Sequence, residues 1–170
     1  MFELKELEDG DFRLIAATNG GAAWKADRGI WNRYLQESRN GERHTLLALD
    51  EQGRAVGYGN LLWASDYRAF RQAGVPEINN LVVASSVRRS GIATRLIAKF
   101  EQYALGQGKT TIGIGVGLYA DYGPAQSLYV KLGYRPDGNG VSYNYEPVPP
   151  GSNVPLDDDL VLWMTKQLKP

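Results

Sequence analysis

Cysteine is absent from the 170 residues of the chain. Its absence excludes disulfide bonds, thiolate-ligated zinc or iron–sulfur centres and a catalytic thiol. Histidine is nearly absent too, since His44 stands alone. One histidine leaves little for a histidine-based metal site and permits at most one Ser-His-Asp arrangement. Because His44 opens a predicted strand and the sequence around it suggests no catalytic partner, we expect it to be structural.

Net charge is also missing, because 19 Lys+Arg balance 19 Asp+Glu. Proteins that bind nucleic acid nonspecifically usually carry a net basic surface, so we expect no nucleic-acid partner. No apolar run approaches the roughly 18 residues of a membrane span, and the N-terminal residues show no signal-peptide pattern. We therefore expect a cytoplasmic protein without a membrane partner, folded as a single domain over residues 1–170.

Hydrophobic periodicity divides the chain into strands and helices. Strands are predicted from Phe2 and over residues 44–49, 55–63, 76–84, 109–117, 142–145 and 160–164. Helices are predicted shortly after Asp11 and over residues 26–39, 92–106 and 124–133, whereas the polar residues 65–74 are expected to form a loop. The alternation indicates an α/β (α+β) fold with a mixed sheet.

The predicted strand at residues 109–117 has an unusual composition. Apolar side chains alternate with glycines, which are Gly113, Gly115 and Gly117. One face of this strand is therefore bare of side chains. Such a face is typical of a strand that another backbone or a ligand approaches closely.

The sharpest local signal is Arg88-Arg89-Ser90-Gly91-Ile92-Ala93-Thr94, between a predicted buried strand and an amphipathic helix. The N-terminus of a helix has unpaired backbone N–H groups and a partial positive charge, so it can hold a pyrophosphate. Gly91 and Ala93 keep bulky side chains away, and the arginines add charge. An ordinary helix start after a basic turn explains the same residues, so this segment alone leaves both interpretations open.

Two nucleotide-binding patterns are incomplete. Gly108-Lys109-Thr110 resembles the end of a phosphate-binding loop, but Tyr103 stands where the first glycine is required and the order of strand and helix is reversed. The glycines of residues 113–117 lie within a strand, not in a strand-to-helix turn, and Leu118 follows them. Nucleotide hydrolysis is therefore disfavoured.

Residues 77–137 resemble the GNAT N-acetyltransferase superfamily. Its central motif, Gln/Arg-x-x-Gly-x-Gly/Ala, is matched by Arg88-x-x-Gly91-x-Ala93, and its second signature, Ala-x-x-Leu-Tyr-x-Lys-x-Gly-Phe/Tyr, is matched by Ala125–Tyr134. Two motifs in the right order on the expected elements are more specific than either alone. The resemblance implies a mixed, mostly antiparallel sheet of about six to seven strands flanked by about four helices.

The resemblance also implies a site for acetyl-CoA as co-substrate, without a metal ion. The backbone of Leu81, Val82 and Val83 would pair with the pantetheine arm. Backbone N–H groups would hold the pyrophosphate along the segment Arg88, Arg89, Ser90, Gly91, Ile92, Ala93 and Thr94. Tyr129 would protonate the departing thiolate, and Glu77 would act as general base, directly or through water. Tyr122 stands where many members carry an asparagine, which leaves that contact to the cofactor open.

The chemistry suits these residue types. A carboxylate beside an apolar strand is suited to removing a proton from an amine, and a strand N–H near Val83 is placed to stabilise the thioester oxygen. Without cysteine, direct attack in a ternary complex is favoured over an acyl-enzyme. If the cofactor arm lies against the glycine face, Gly115→Val should weaken cofactor binding more than folding. The competing interpretations are a solvated strand-start residue for Glu77 and a core aromatic for Tyr129.

The implied function is transfer of an acetyl group from acetyl-CoA to a primary amine, and the alternative is a non-catalytic acyl-CoA-binding domain of the same fold. A small-molecule acceptor is favoured over a protein, and a cationic amine if Asp157-Asp158-Asp159 and Glu77 face one cleft. That acidic triplet also fits a metal site or, preferentially, a solvated turn. Several aromatic residues fit an acceptor pocket or, preferentially, the core: Trp24, Trp31, Tyr34, Trp63, Tyr67, Tyr143 and Tyr145. The apolar strand 160–164 would pair within its own sheet or with a second subunit, as in a homodimer.

Overall fold

The computed structural model describes residues 2–169, whose helices and strands alternate along the chain. In chain order the elements are β1 (Phe2–Glu6), α1 (Phe12–Ala16), α2 (Arg28–Arg39), β2 (Arg43–Asp50), β3 (Ala55–Leu62), α3 (Arg68–Ala73), β4 (Glu77–Val83), α4 (Ile92–Gly106), β5 (Thr111–Gly117), α5 (Gly123–Lys131), β6 (Arg135–Tyr143), β7 (Glu146–Pro147) and β8 (Leu160–Gln167). The expected α/β class with mostly antiparallel strands is confirmed. Within the described residues there are eight strands and five α-helices, slightly more than expected. In that same part of the chain, every helix falls short of the length and hydropathy that a membrane span requires.

Two units of the chain each have their own contacts. The first contains the residues up to Leu62 together with Ile78–Phe100, and the second contains Trp63–Glu77 together with the chain from Glu101 onward. The single domain expected from the sequence stays a prediction.

The first unit has its strands in the order β1-β2-β3-β4. Strand β2 pairs antiparallel with β1, Phe2 lying opposite Asp50, and antiparallel with β3, Arg43 lying opposite Leu62. His44 lies on β2 with its Nδ1 3.3 Å from the Glu6 carboxylate on β1, which agrees with a structural role. A tight turn joins β2 to β3, with the Gly53 N–H donating to the Asp50 carbonyl at 2.9 Å.

Aromatic rings fill the core of the first unit. Trp24 and Trp31 each meet Tyr58 edge to face, with ring centroids 5.1 and 5.0 Å apart. Both indole N–H groups donate to backbone carbonyls, that of Trp24 to Ile15 and that of Trp31 to Lys25, so their burial leaves no donor unpaired. The core assignment of Trp24, Trp31 and Tyr34 is confirmed.

Strand β4 departs from the buried strand that its apolar run predicts. Its residues Leu81–Val83 are only half-buried. Asn80, just before them, has a left-handed backbone with φ of 48°, and its Nδ2 donates to the Tyr34 hydroxyl at 2.8 Å. A left-handed residue interrupts the alternation of a strand. This explains why the apolar residues that follow Asn80 are not all buried.

The second unit has its strands in the order β5-β8-β6-β7. Strand β8 pairs antiparallel with β5, from Thr111 opposite Gln167 to Gly117 opposite Val161, and antiparallel with β6 on its other side. The apolar strand predicted at residues 160–164 therefore has partners on both sides within its own unit.

Two predictions for the second unit are wrong. Residues 65–74 do not form a plain loop, because α3 occupies Arg68–Ala73, buries Phe70 and ends at Gly74 in a left-handed conformation. The strand predicted over residues 142–145 does not end in a buried tyrosine either. Tyr145 lies beyond β6, is 43% exposed and has a left-handed backbone, whereas Tyr67 is in the core as expected.

Candidate functional site

The segment from Arg88 to Thr94 forms an exposed loop and the first turn of α4 in the first unit. Arg89 and Gly91 both have left-handed backbones, with φ of 64° and 85°. No atom lies within 4 Å of the position that a Cβ on Gly91 would take. Since the first N–H groups of a helix have no intrahelical acceptor, this open loop is suited to an anion held by backbone groups.

The Ile92 side chain anchors the start of α4 against β3. This side chain is buried, and its Cγ2 would lie 2.8 Å from a Cβ on Gly57 of β3. Glycine at this position therefore lets the helix approach the strand closely. The Ser90 hydroxyl donates to the Val87 carbonyl at 2.7 Å and closes the loop. Ile92 is one of the residues predicted to hold the pyrophosphate. Its side chain anchors α4, and its backbone N–H lies at the start of the helix.

The predicted pantetheine strand, Leu81–Val83, belongs to the same unit as the loop. Its side chains are half-buried. The chain then continues into Ala84, whose N–H donates to the Val56 carbonyl at 2.9 Å. Pairing by the backbone of Leu81, Val82 and Val83 stays a prediction.

Glu77 lies in the second unit and is not solvated, since only 2% of it is exposed. Its Oε2 accepts a hydrogen bond from the Ser65 hydroxyl at 2.5 Å. Ser65 is itself fully buried, and its Oγ accepts the Tyr67 backbone N–H at 2.9 Å. The interpretation of Glu77 as a solvated strand-start residue is therefore wrong. A buried carboxylate held by a hydrogen bond remains a candidate for acid–base chemistry.

Three aromatic rings are stacked in the same unit. Trp163 lies parallel to Tyr67, with centroids 4.3 Å apart, and its other neighbour in the stack is Tyr145 at 5.9 Å. Burial raises the pKa of the Tyr145 phenol, and the negative charges of Glu77, Asp66 and Asp159 raise it further. These three carboxylates therefore act on one exposed ring.

Tyr129 lies on α5 and is buried, with 6% of it exposed. Burial raises the pKa of its phenol well above the ordinary value, so the hydroxyl keeps its proton. Within residues 2–169 this hydroxyl has no hydrogen-bond partner. A buried, protonated and unpaired phenol is suited to donating a proton to a ligand, although it also meets the description of a core aromatic.

Tyr122, which stands where many family members carry an asparagine, forms a hydrogen bond to another residue of the same unit. Its hydroxyl donates to Asp158 at 2.9 Å, and the Tyr119 hydroxyl donates to the same carboxylate. The neighbouring Asp157 accepts the Tyr143 hydroxyl at 3.1 Å. The acidic triplet therefore holds tyrosines in place. Within residues 2–169 no group of three or more His, Asp or Glu side chains is arranged to hold a metal ion.

The glycine face of β5 is covered by side chains of its own unit. A Cβ on Gly113 would lie 2.1 Å from the Phe70 ring, and one on Gly117 would lie 2.4 Å from the Tyr122 ring. A Cβ on Gly115 would lie 2.9 Å from Val161 and 3.0 Å from Trp163. The expectation that a cofactor arm lies against this face is wrong, because aromatic and apolar side chains occupy it.

Sequence reasoning does not single out Ser65. It lies in the polar stretch that the sequence predicts as a loop, and nothing in its local sequence distinguishes it from a turn serine. Only the fold shows that it contacts Glu77.

A model of the acetyltransferase (GNAT) family matches residues 3–134, which include both motifs described above. No curated protein sequence matches the chain significantly.

Solved structures share the fold at low sequence identity. A protein from Klebsiella pneumoniae subsp. pneumoniae MGH 78578, provisionally named acyl-CoA N-acyltransferase, is 22% identical, with 99% of each chain covered and a TM-score of 0.62. A spermidine N-acetyltransferase chimera of Vibrio cholerae SpeG and hSSAT is 18% identical, with 98% of this chain and 95% of that chain covered and a TM-score of 0.68. Nourseothricin acetyltransferase is 15% identical, with 99% of each chain covered and a TM-score of 0.67. At these identities the likeness shows the fold alone.

Proposed function

Because the chain belongs to the GNAT acetyltransferase family, we propose that it transfers the acetyl group of acetyl-CoA to a primary amine of a small-molecule acceptor, by direct attack in a ternary complex. The observation that carries the proposal is the exposed loop from Arg88 to Thr94. Its left-handed residues, its open space at Gly91 and the N-terminus of α4 suit a pyrophosphate. The half-buried strand Leu81–Val83 supports a role in holding the pantetheine arm.

Glu77 is the proposed general base. Acetyl-CoA supplies an acyl group activated as a thioester, and the attacking amine must lose a proton to bond with it. The burial of Glu77 and its hydrogen bond from Ser65 support this role, because a base needs a fixed position within reach of its proton. The proton passes from the amine nitrogen to the carboxylate, directly or through water.

Tyr129 is the proposed general acid. Breaking the thioester leaves a thiolate, which requires a proton. Burial raises the pKa of the Tyr129 phenol, so it is protonated at the pH of the reaction, and its hydroxyl is not engaged by another described residue. These properties support donation of its proton to the sulfur.

The acceptor is proposed to be a small cationic amine. Partial burial and the negative charges of Glu77, Asp66 and Asp159 raise the pKa of the exposed Tyr145 phenol, and an aromatic face near carboxylates attracts ammonium groups. One structure similar in fold is a spermidine N-acetyltransferase chimera, and spermidine is an acceptor of that class. The fold does not choose among amines, since nourseothricin acetyltransferase shares it.

The test combines binding with turnover. The wild-type protein should be stabilised by acetyl-CoA and CoA but not by ATP or NAD, and it should release CoA with amines from a panel of polyamines, aminoglycosides and amino acids. Glu77→Gln should keep the stabilisation by acetyl-CoA and lose turnover by roughly 10²–10⁴-fold. Glu146→Gln, the same substitution at an exposed position on β7, is the matched control and should remain active.

Stabilisation by acetyl-CoA without CoA release for any amine would favour a non-catalytic acyl-CoA-binding domain. Full turnover of Glu77→Gln would remove Glu77 from the mechanism.

A further inference from the structure

We propose that Ser65 is a positioning residue, which holds the Glu77 carboxylate in its ionised form and in one orientation. The inference rests on the proposed function, because it assumes that Glu77 is the general base. Ser65 is not itself a reacting group. It acts on the reaction through the carboxylate that it contacts.

The direction of the hydrogen bond follows from its neighbours. The Ser65 Oγ accepts the Tyr67 backbone N–H at 2.9 Å, and that donor occupies a lone pair of the hydroxyl. The single hydroxyl proton is then directed to Glu77 Oε2 at 2.5 Å, because an ionised carboxylate can only accept. Ser65 therefore donates its one proton to the ionised carboxylate while it accepts the Tyr67 N–H.

The backbone around Ser65 is fixed as well. Arg71 on α3 donates from its Nε to the Ser65 carbonyl at 2.8 Å and from its Nη2 to Asp66 at 2.8 Å. Helix α3 thus ties down the segment that carries the hydroxyl. Since Ser65 is fully buried, water does not compete for its proton.

A donor to the ionised form of a carboxylate stabilises that form. The other charged and titratable groups of this region include Tyr145, which responds to the charges of Glu77, Asp66 and Asp159, and Arg71, which is paired with Asp66. The Ser65 hydroxyl keeps Glu77 ionised and ready to accept a proton.

The experiment measures the pH dependence of kcat for Ser65→Ala. Without the donor, Glu77 should be protonated more readily, so the acid limb of the profile should move to higher pH. Because a hydrogen bond to a charged group contributes about 1.5–3 kcal/mol, we expect the acid limb to move by about 1–2 pH units, so that kcat on that limb falls roughly 10- to 100-fold at a given pH. The KM for acetyl-CoA should stay within a factor of two or so of the wild-type value, as Ser65 is not among the residues proposed to hold the cofactor. Ser65→Thr, which keeps a hydroxyl, should restore the acid limb.

Two controls separate this role from a loss of folding. Ser142→Ala removes another buried hydroxyl of the second unit, the acceptor of the Trp163 indole N–H at 2.7 Å, and it should leave the acid limb in place. The melting temperatures of all variants show which of them are folded. If Ser65→Ala is unfolded, the pH dependence of kcat is measured for Ser65→Thr instead. An unmoved acid limb in a folded Ser65→Ala protein would overturn the proposal.

A double-mutant cycle keeps the two proposals distinguishable. In a Glu77→Gln background, Ser65→Ala should cause little further loss of kcat, because it acts through the carboxylate. An equal loss in both backgrounds would overturn the positioning role and leave Glu77 as base. Wild-type turnover of Glu77→Gln would remove Glu77 from the mechanism and the positioning role with it, whereas a wild-type protein that releases no CoA with any amine would overturn the proposed function.

Discussion

The ring of Phe70 lies where a side chain on Gly113 would stand, 2.1 Å from the position of its Cβ. Phe70 also packs edge to face against Tyr67 and Trp163, with centroids 5.0 and 5.4 Å apart. The ring therefore cannot move without disturbing the whole aromatic group. We expect Gly113→Ala to lower the free energy of unfolding by about 1–3 kcal/mol, as measured by urea denaturation.

A glycine without such a neighbour provides the comparison. At Gly106, the end of α4, no atom lies within 4 Å of the position that a Cβ would take, and the backbone is not left-handed. Gly106→Ala should therefore be neutral or stabilising by roughly 0.5–1 kcal/mol. Equal destabilisation by the two substitutions would contradict the steric explanation for the glycine face of β5.

The second prediction concerns the proposed pyrophosphate loop. Gly91→Ala and Gly108→Ala both place an alanine in a left-handed conformation with open space around it, one before α4 and the other after it. Each should lose about 1–2 kcal/mol of stability. Saturating acetyl-CoA at 100 times its Kd should stabilise the wild-type protein by roughly 2.7 kcal/mol. That gain should be reduced in Gly91→Ala and retained in Gly108→Ala, as melting curves with and without ligand would show.

The third prediction separates acid catalysis from packing at Tyr129. Tyr129→Phe should lower kcat by roughly 10²–10⁴-fold without weakening acetyl-CoA binding. Its stability should not fall, because the hydroxyl has no partner to lose among the described residues. Tyr134→Phe removes a buried hydroxyl that donates to Glu101 at 3.0 Å, and it should lose about 1 kcal/mol of stability while remaining active. Full turnover of Tyr129→Phe would assign Tyr129 to the core.

The fourth prediction is a loss of stability in alkali. Burial raises the pKa of Tyr58 to about 12, above the value of about 10 in the unfolded chain. The folded state therefore holds this proton more tightly. The stabilisation is complete below pH 10 or so and is lost as the pH rises toward 12, with a slope of about 1.4 kcal/mol per pH unit for this one group. Urea unfolding of the wild-type protein and of Tyr58→Phe should show a shallower slope in the variant, and identical slopes would rule out Tyr58 as a source.

The sequence was sufficient for elements whose signal is local. Alternation identified β5, and Pro124 and Gly133 marked the ends of the region containing α5. Helix α3 was missed because it is short and buries only Phe70, so its apolar pattern is too brief to show periodicity. The bare face of β5 was visible in the sequence, but what covers it was not, since Phe70 and Trp163 lie far from Gly113 along the chain.

The residue that contacts the candidate base could not be predicted from the sequence, because the fold brings the two together. The resemblance to the family indicated Glu77, yet the residue that contacts its carboxylate, Ser65, belongs to no motif and is brought there by the path of the chain through α3 and into β4. Similarly, Tyr122 could be recognised as a departure from the family pattern, but its bond to Asp158 depends on a loop distant in sequence.

The stack of Tyr67, Trp163 and Tyr145 makes the fluorescence of Trp163 a probe of its surroundings. The indole of Trp163 is buried between a core ring and a ring open to solvent, whereas Trp24 and Trp31 lie in the core of the first unit. With Trp24, Trp31 and Trp63 replaced by phenylalanine, the fluorescence of Trp163 reports on the second unit alone. If the acceptor amine binds at Tyr145 as proposed, titration with that amine should change the emission of Trp163 before any reaction is run.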